Sequence, residues 1–113
     1  MDITEQNEPN RIALKGEIDL YNSPDLAAAL QRFLDNNVQT VYVDMRGVTY
    51  MDSSGLGVLI SAANRLVKQS GQLFLIRPSL QVLRLLEMTR LLGFFQIAFD
   101  EQKPNSSAGF SMA

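Results

Sequence analysis

The chain has 113 residues and an apolar fraction of 46%, enough for one folded domain with a single core. Twelve acidic and ten basic residues give a net charge of -2, whereas proteins that bind nucleic acid without sequence preference usually carry a basic surplus. The absence of His and Cys excludes disulfides, Ser–His–Asp triads and zinc sites built from imidazole or thiolate ligands.

The sequence also indicates where the protein acts. No apolar run approaches the roughly 20 residues that a membrane-spanning helix needs. The N-terminal stretch MDITEQNEPN is polar and acidic, unlike a signal peptide. We therefore expect a bacterial, cytoplasmic protein that binds neither membrane nor nucleic acid. The small size and the even spread of charge predict a monomer when the protein is free.

The first half of the chain predicts two strands, a helix and a third strand. A short strand near the N-terminus precedes an alternating apolar pattern over 11–20, where Gly16 indicates a bulge or a close backbone approach. Apolar residues at helical spacing predict a helix over 23–35, with Ser23 as its N-cap. The β-branched and aromatic run over 40–45 is typical of a strand buried on both faces.

The second half continues the alternation of helices and strands. Residues 46–53 are interpreted as a loop, and residues 54–69 as a helix with an apolar stripe. A buried strand over 73–76 precedes a helix that Ser79 caps, and a last strand is expected over 94–99. The order of elements is therefore β-β-α-β-α-β-α-β.

This order predicts an α/β fold of one domain. Strands that alternate with helices form a mixed, largely parallel sheet, with the helices packed on it through right-handed crossovers. We expect the domain to cover residues 1–103. Residues 104–113 (PNSSAGFSMA) are small and polar, which predicts a flexible C-terminal tail.

The segment YMDSSGLG, residues 50–57, is the most unusual part of the chain. It opens a predicted helix, where unpaired backbone N–H groups and the helix dipole favour anions. Gly55 and Gly57 leave room for another molecule to approach the backbone. A phosphoryl group on Ser53 would add about -1.5 to -2 charge units and could switch a binding surface. The residues alone leave open that the serines only cap the helix and the glycines only ease packing.

The stretch VYVDMRGVTYMDSSGLGVLI resembles the signature of the STAS domain, in particular that of bacterial anti-sigma factor antagonists of the partner-switching type. Residues 16–19 (GEID) resemble an earlier element of the family, and residues 85–89 (LLEMT) resemble its third-helix segment. The resemblance covers roughly residues 1–101 and implies the STAS fold.

The resemblance implies a regulatory binding protein that is not an enzyme and has no catalytic residue. An anti-sigma factor with serine kinase activity would phosphorylate Ser53, and the phosphorylated chain could no longer hold that partner. A PP2C-type phosphatase would restore the free serine, which binds the anti-sigma factor again and releases sigma. ATP and Mg²⁺ would be bound by the kinase, so the chain itself would need no cofactor and no metal.

Residues near Ser53 are expected to support the site or to contact the partner. Asp19 and Asp52 are expected to order the loop around Ser53, Asp19 through hydrogen bonds to backbone N–H groups, unless they are only solvated or turn-forming carboxylates. Ser54 is expected to be an N-cap rather than a second phosphorylation site. The residues expected at the partner surface are Val48, Tyr50, Met51, Tyr21, Asn22 and Leu56, although Tyr50 could instead fold under the helix.

Three other functions remain open from the sequence. Asp44 could be the phosphoacceptor of a response-regulator receiver, although Asp19 supplies one carboxylate rather than a pair and Lys103 falls near the tail. Ser53 could be the nucleophile of a hydrolase, but G-x-S-x-G and a visible base are absent. A STAS domain could also be a fixed scaffold that never cycles through phosphorylation.

Overall fold

Five strands and three helices make up the computed structural model of the protein, which describes residues 1–5 and 10–99. The predicted order of elements is confirmed. The expected tail over 104–113 lies outside the described residues. The elements are β1 (Asp2–Glu5), β2 (Arg11–Ile18), α1 (Ser23–Asp35), β3 (Thr40–Met51), α2 (Ser53–Lys68), β4 (Gln72–Ile76), α3 (Leu80–Met88) and β5 (Gln96–Ala98).

The strands form one mixed sheet in the order β1-β2-β3-β4-β5. β1 is antiparallel to β2, and the other neighbouring pairs are parallel. Each helix connects a strand to its next neighbour in the same direction across the sheet. Right-handed crossovers of this kind place α1, α2 and α3 on the same face. The predicted mixed, largely parallel sheet with packed helices is therefore confirmed.

The main core lies between the helices and the sheet face that they cover. Alternate residues of β3 and β4, such as Val43 and Leu75, point into this core because side chains along a strand alternate between faces. The helices contribute apolar residues at helical spacing, including Leu30 of α1, Leu59 of α2 and Leu86 of α3. None of the helices in the described part of the chain is both long and apolar enough to cross a membrane.

The opposite face of the sheet carries a smaller apolar cluster that contains Phe74, Ile76 and Ala98. Tyr42 packs against this cluster, and its ring stacks on that of Phe74 with the centroids 5.4 Å apart. The central strands are therefore apolar on both faces, as the uninterrupted runs in the sequence predict.

β3 is longer than predicted, and the expected loop over 46–53 is wrong. Asp44 of β3 pairs with Ile76, the last residue of β4, but β3 continues to Met51. Among the described residues, β3 pairs over this extension with β2 alone, and Met51 lies opposite Ile18. The two strands therefore end side by side, one just before α1 and the other just before α2.

Gly16 lets β2 follow the extension of β3. Its φ of 96° lies in a region that L side chains rarely adopt, and the pairing with β3 shifts register between Gly16 and Glu17. The pairing is irregular beside Gly16 as predicted, but the extra residue of the bulge is Thr49 of β3. The shift brings the last two residues of β2 into register with the end of β3.

Candidate functional site

Ser53 lies at the carboxyl-terminal edge of the sheet, where β3 passes directly into α2. Asp52 is the single residue between the two elements, and its N–H donates to the carbonyl oxygen of Ile18 at 3.1 Å. Ser53 is the first residue of α2 and is exposed. Its hydroxyl is therefore on the surface, on a backbone fixed by a strand before it and a helix after it.

Asp52 is the N-cap of α2. Its backbone is extended, and its Oδ1 accepts hydrogen bonds from the N–H groups of Ser54 (2.8 Å) and Gly55 (3.4 Å). A carboxylate in this position also interacts favourably with the positive end of the helix dipole. The prediction that Ser54 caps the helix is wrong, because the cap precedes Ser53 and Ser54 is already helical.

The two glycines of the segment have different surroundings. A Cβ on Gly55 would lie 2.6 Å from Cγ2 of Ile18 and 2.9 Å from Cγ of Met51. Gly55 therefore lets the first turn of α2 pack against the ends of β2 and β3. A Cβ on Gly57 would meet nothing within 4 Å. The expectation of an accessible backbone is confirmed for Gly57 and is wrong for Gly55, which is buried.

A shallow groove of about 490 Å³ runs between α1 and α2 beside Ser53. On the α2 side it is lined by small residues, including Ser54, Gly57 and Ser61. Arg65, which forms an ion pair with Asp35 of α1 at 3.1 Å, also lines it. The exposed side of α2 next to Ser53 therefore carries mostly small side chains.

Asp19 orders the turn between β2 and α1. Its Oδ1 accepts hydrogen bonds from the N–H groups of Tyr21 (3.0 Å) and Asn22 (3.1 Å). Asn22 completes the turn, since its Oδ1 accepts from the N–H of Asp19 and its Nδ2 donates to the carbonyl of Glu17, both at 2.9 Å. Asp19 therefore binds backbone N–H groups as expected, but those of its own turn rather than of the Ser53 junction.

Three of the six expected partner contacts are buried. Val48 and Met51 are each 1% exposed, because β3 continues and has an extra residue, Thr49, that puts both side chains on the core face. Leu56 is 4% exposed and lies on the inner stripe of α2. The prediction that these three residues reach a partner is wrong for this conformation.

The other expected contacts lie at the surface, together with one residue that sequence reasoning missed. Tyr21 is 91% exposed and Tyr50 is 44% exposed, whereas Asn22 is half-buried in its turn. Leu20 is 66% exposed in the same turn. The sequence does contain a signal for Leu20. It is an apolar residue directly after the polar Asp19, at a turn position where the fold does not require an apolar side chain.

Asp44 is held inside the sheet and is not an accessible phosphoacceptor. Its Oδ2 lies 2.7 Å from the guanidinium of Arg46 and 3.5 Å from that of Arg11. Burial raises the pKa of the Asp44 carboxyl, but hydrogen bonds from Arg46 and the charges of both arginines outweigh it, so the pKa lies below its usual value. Lys103, which a receiver would need, lies outside the described residues.

The described part of the chain contains no cluster of three His, Cys, Asp or Glu side chains that could hold a metal ion. Asp19 and Asp52 each bond to backbone N–H groups of their own turn or helix. The chemistry that this edge offers is therefore an exposed hydroxyl and a set of apolar contacts.

Comparison with known proteins identifies similar sequences over most of the chain. The family model described as the STAS domain matches residues 1–103. The anti-sigma-B factor antagonist of Listeria monocytogenes is 33% identical over 96 residues, which cover 85% of this chain and 84% of that protein. The protein of the same name from Staphylococcus aureus is 30% identical over 91 residues, which cover 80% and 84%.

Solved structures show the same fold. The anti-sigma factor antagonist SpoIIAA in its unphosphorylated form superposes with a TM-score of 0.75 at 22% identity, covering 96% of each chain. The Bacillus cell fate determinant SpoIIAA in its phosphorylated form superposes with a TM-score of 0.69 at 21% identity, covering 94% of this chain and 97% of that one.

Proposed function

The chain belongs to the STAS domain family, and on that premise we propose that it is an anti-sigma factor antagonist switched by phosphorylation of Ser53. STAS anti-sigma factor antagonists are regulatory binding proteins and not enzymes. The unphosphorylated chain binds an anti-sigma factor that is also a serine kinase, and phosphate on Ser53 abolishes the binding. The observation that carries the proposal is the exposed hydroxyl of Ser53 at the start of a capped helix.

The junction between β3 and α2 suits a phosphoacceptor. A kinase needs a hydroxyl that it can reach and a backbone that holds the hydroxyl in a productive position. Ser53 is exposed, and the Asp52 cap and the hydrogen bond to Ile18 hold the backbone before it. The Asp52 carboxylate repels a phosphate, so the phosphorylated serine gains little inside its own chain. The main effect of the phosphate is therefore on the partner.

The apolar residues around Ser53 supply the contacts that the phosphate disrupts. Tyrosine is enriched at protein interfaces, and exposed Tyr21, Tyr50 and Leu20 lie at the same edge of the sheet as Ser53. The exposed side of Gly57 allows a partner backbone to approach α2 closely. Binding removes water from this surface, so a group with about -1.5 to -2 charge units at Ser53 carries a large desolvation cost.

The remaining components of the switch lie on other proteins. ATP and Mg²⁺ are bound by the kinase, and the chain takes no cofactor or metal of its own. A PP2C-type phosphatase removes the phosphate and restores binding. We place the cycle in the bacterial cytoplasm, with the free chain a monomer that binds neither nucleic acid nor membrane.

The experiment incubates the chain with ATP, Mg²⁺ and each purified anti-sigma factor kinase of the organism that encodes it. Mass spectrometry should find one phosphate on Ser53, and calorimetry should show at least a hundred-fold loss of affinity on phosphorylation. Ser53→Ala should bind throughout the cycle, whereas Ser53→Asp should bind weakly. Ser61→Ala, which changes an exposed serine further along α2, is the matched control.

Two outcomes contradict the proposal. A phosphate on Ser54, or none on the chain with any of these kinases, removes Ser53 as the phosphoacceptor. If Ser53→Asp and the wild-type chain bind the partner with equal affinity, the domain is a fixed scaffold rather than a switch.

A further inference from the structure

The end of β3 has a hydrogen-bonding requirement that the sheet does not meet. Consecutive N–H groups of a strand point to opposite sides, and the N–H of Asp52 points toward β2, where it donates to Ile18. The N–H of Met51 therefore points to the other side. There β4 has already ended, because its last residue, Ile76, pairs with Asp44. Met51 is 1% exposed, and a buried N–H group without an acceptor is costly.

Gln81 supplies the missing acceptor from another element. The N–H of Met51 donates to Oε1 of Gln81 at 3.1 Å, although the two residues are 30 positions apart. Gln81 lies in the first turn of α3, whose start is fixed because Ser79 Oγ accepts from the N–H of Val82 at 3.3 Å. One side chain of α3 thus takes the place of β4 as the hydrogen-bond acceptor, two residues before Ser53.

We propose that Gln81 is a positioning residue for the phosphorylation of Ser53. It holds the end of β3 from the α3 side, while Ile18 holds it from the β2 side. Together the two hydrogen bonds fix the backbone of Met51 and Asp52, and through them the direction in which the Ser53 hydroxyl points. The proposal rests on the proposed function and adds that α3, which does not contain the phosphoacceptor, sets how well the kinase can use it.

The predicted effect follows from the geometry of the reaction. A kinase must place the hydroxyl oxygen in line with the transferred phosphoryl group, and small displacements of a reacting atom cost large factors in rate. Loss of the Gln81 acceptor leaves the Met51 N–H unpaired and loosens the junction. We expect kcat for phosphorylation to fall about ten-fold, with a smaller change in KM, because the residues that contact the kinase are unchanged.

Three variants test the inference. Gln81→Met removes the acceptor and keeps the length of the side chain, whereas Gln81→Glu keeps an oxygen that can accept the Met51 N–H. Gln39→Met makes the same chemical change at an exposed site just before the other end of β3. The measurements are kcat and KM for phosphorylation by the cognate kinase, amide hydrogen exchange of Met51, and the amide chemical shifts of Ser53 and Ser54.

In Gln81→Met we expect exchange at Met51 to become about ten-fold faster, the shifts of Ser53 and Ser54 to move, and kcat to fall. Gln81→Glu and Gln39→Met should stay within about two-fold of the wild-type chain in kcat. If Gln81→Met only lowers the melting temperature and is phosphorylated at the wild-type rate well below it, the role is structural and the inference is overturned.

The outcomes separate this inference from the proposed function. If the wild-type chain is phosphorylated on Ser53 and Gln81→Met reacts equally well, the inference fails and the function stands. If no kinase phosphorylates the wild-type chain, the function fails, and the role of Gln81 as a positioning residue for that reaction fails with it. Unchanged exchange at Met51 in Gln81→Met contradicts the hydrogen bond itself and overturns the inference in either case.

Discussion

The two serines that begin α1 and α2 occupy matching positions but differ in exposure. Each is the first residue of its helix, and each follows a strand that ends at the same edge of the sheet. Ser23 is 7% exposed, and its N–H donates to the carbonyl of Asp19 at 2.8 Å. Ser53 is exposed. A serine at a helix start therefore becomes a candidate phosphoacceptor only where the helix turns that serine outward.

The third residues of α1 and α2 differ in exposure in the opposite sense. In α1 it is Asp25, which is exposed, and in α2 it is Gly55, which is buried against Ile18 and Met51. The two helices thus begin in different rotations about their axes. In α2 the glycine allows the inward-facing side of the first turn to lie close to the strand ends. This rotation places Ser53 on the solvent side.

The largest difference in stability between the two helix starts is expected when aspartate replaces Ser23 or Ser53. Ser23→Asp places a carboxylate in a buried position without a cation and should lower the free energy of unfolding by about 3 kcal/mol. Ser53→Asp adds the same charge at an exposed position and should change it by less than about 0.5 kcal/mol. Urea denaturation of the two variants measures both values. Equal destabilisation of the two variants would contradict the difference in exposure.

A smaller effect is expected at the third helical positions. Gly55→Ala forces a methyl group against Ile18 and Met51 and should lower the free energy of unfolding by about 2 kcal/mol. Asp25→Ala should cost about 0.5 kcal/mol, because it removes only a favourable charge near the helix dipole. Chemical denaturation of both variants provides the test. A stable Gly55→Ala variant would show that α2 does not need this close approach.

The N-cap of α2 should contribute about 1 kcal/mol. Asp52→Ala removes the acceptor for the N–H groups of Ser54 and Gly55, whereas Asp52→Asn retains a side-chain oxygen for them. Thermal unfolding should therefore show a lower melting temperature for Asp52→Ala than for Asp52→Asn. If the two variants melt together below the wild-type chain, the charge of Asp52 matters more than its cap.

A small effect of opposite sign is expected at Gly57. Because a Cβ there meets nothing within 4 Å, Gly57→Ala should raise the free energy of unfolding by about 0.5–1 kcal/mol. The same methyl group should weaken binding of the anti-sigma factor, since the proposed surface uses the exposed backbone. Denaturation and calorimetry on one sample measure the two effects. Unchanged affinity would place the partner away from this side of α2.

Much of the fold could be predicted because local patterns agree with it. The helices have apolar stripes, and the central strands are β-branched runs between turn residues. The end of β3 was missed because Arg46-Gly47 indicates a turn, and the partner that keeps the strand extended is β2, more than 25 residues earlier in the chain. Residues 48–51 (VTYM) do have the composition of a strand, which agrees with the extension.

The sequence predicts Ser53 as the central residue of the candidate site, and that role stays a prediction, whereas the positions of several neighbouring residues did not follow from the sequence. Ser53 follows from the motif, and its exposure agrees with that prediction. Val48 and Met51 were misplaced because their orientation depends on the missed extension of β3. Gln81 had no signal at all, since a glutamine in the first turn of a helix is common and its contact with Met51 arises only in the folded chain.

The order of the strands limits which kinds of molecule can bind at the edge of the sheet that carries Ser53. In open α/β sheets, small molecules bind in a crevice where the strand order reverses. The order β1-β2-β3-β4-β5 in the described part of the chain does not reverse, so its helices do not diverge to form such a crevice. The strand order therefore supplies no such crevice beside Ser53, where the described residues form only the shallow groove between α1 and α2. In the proposed switch, a cellular signal reaches this edge as a covalent bond made and broken by other proteins.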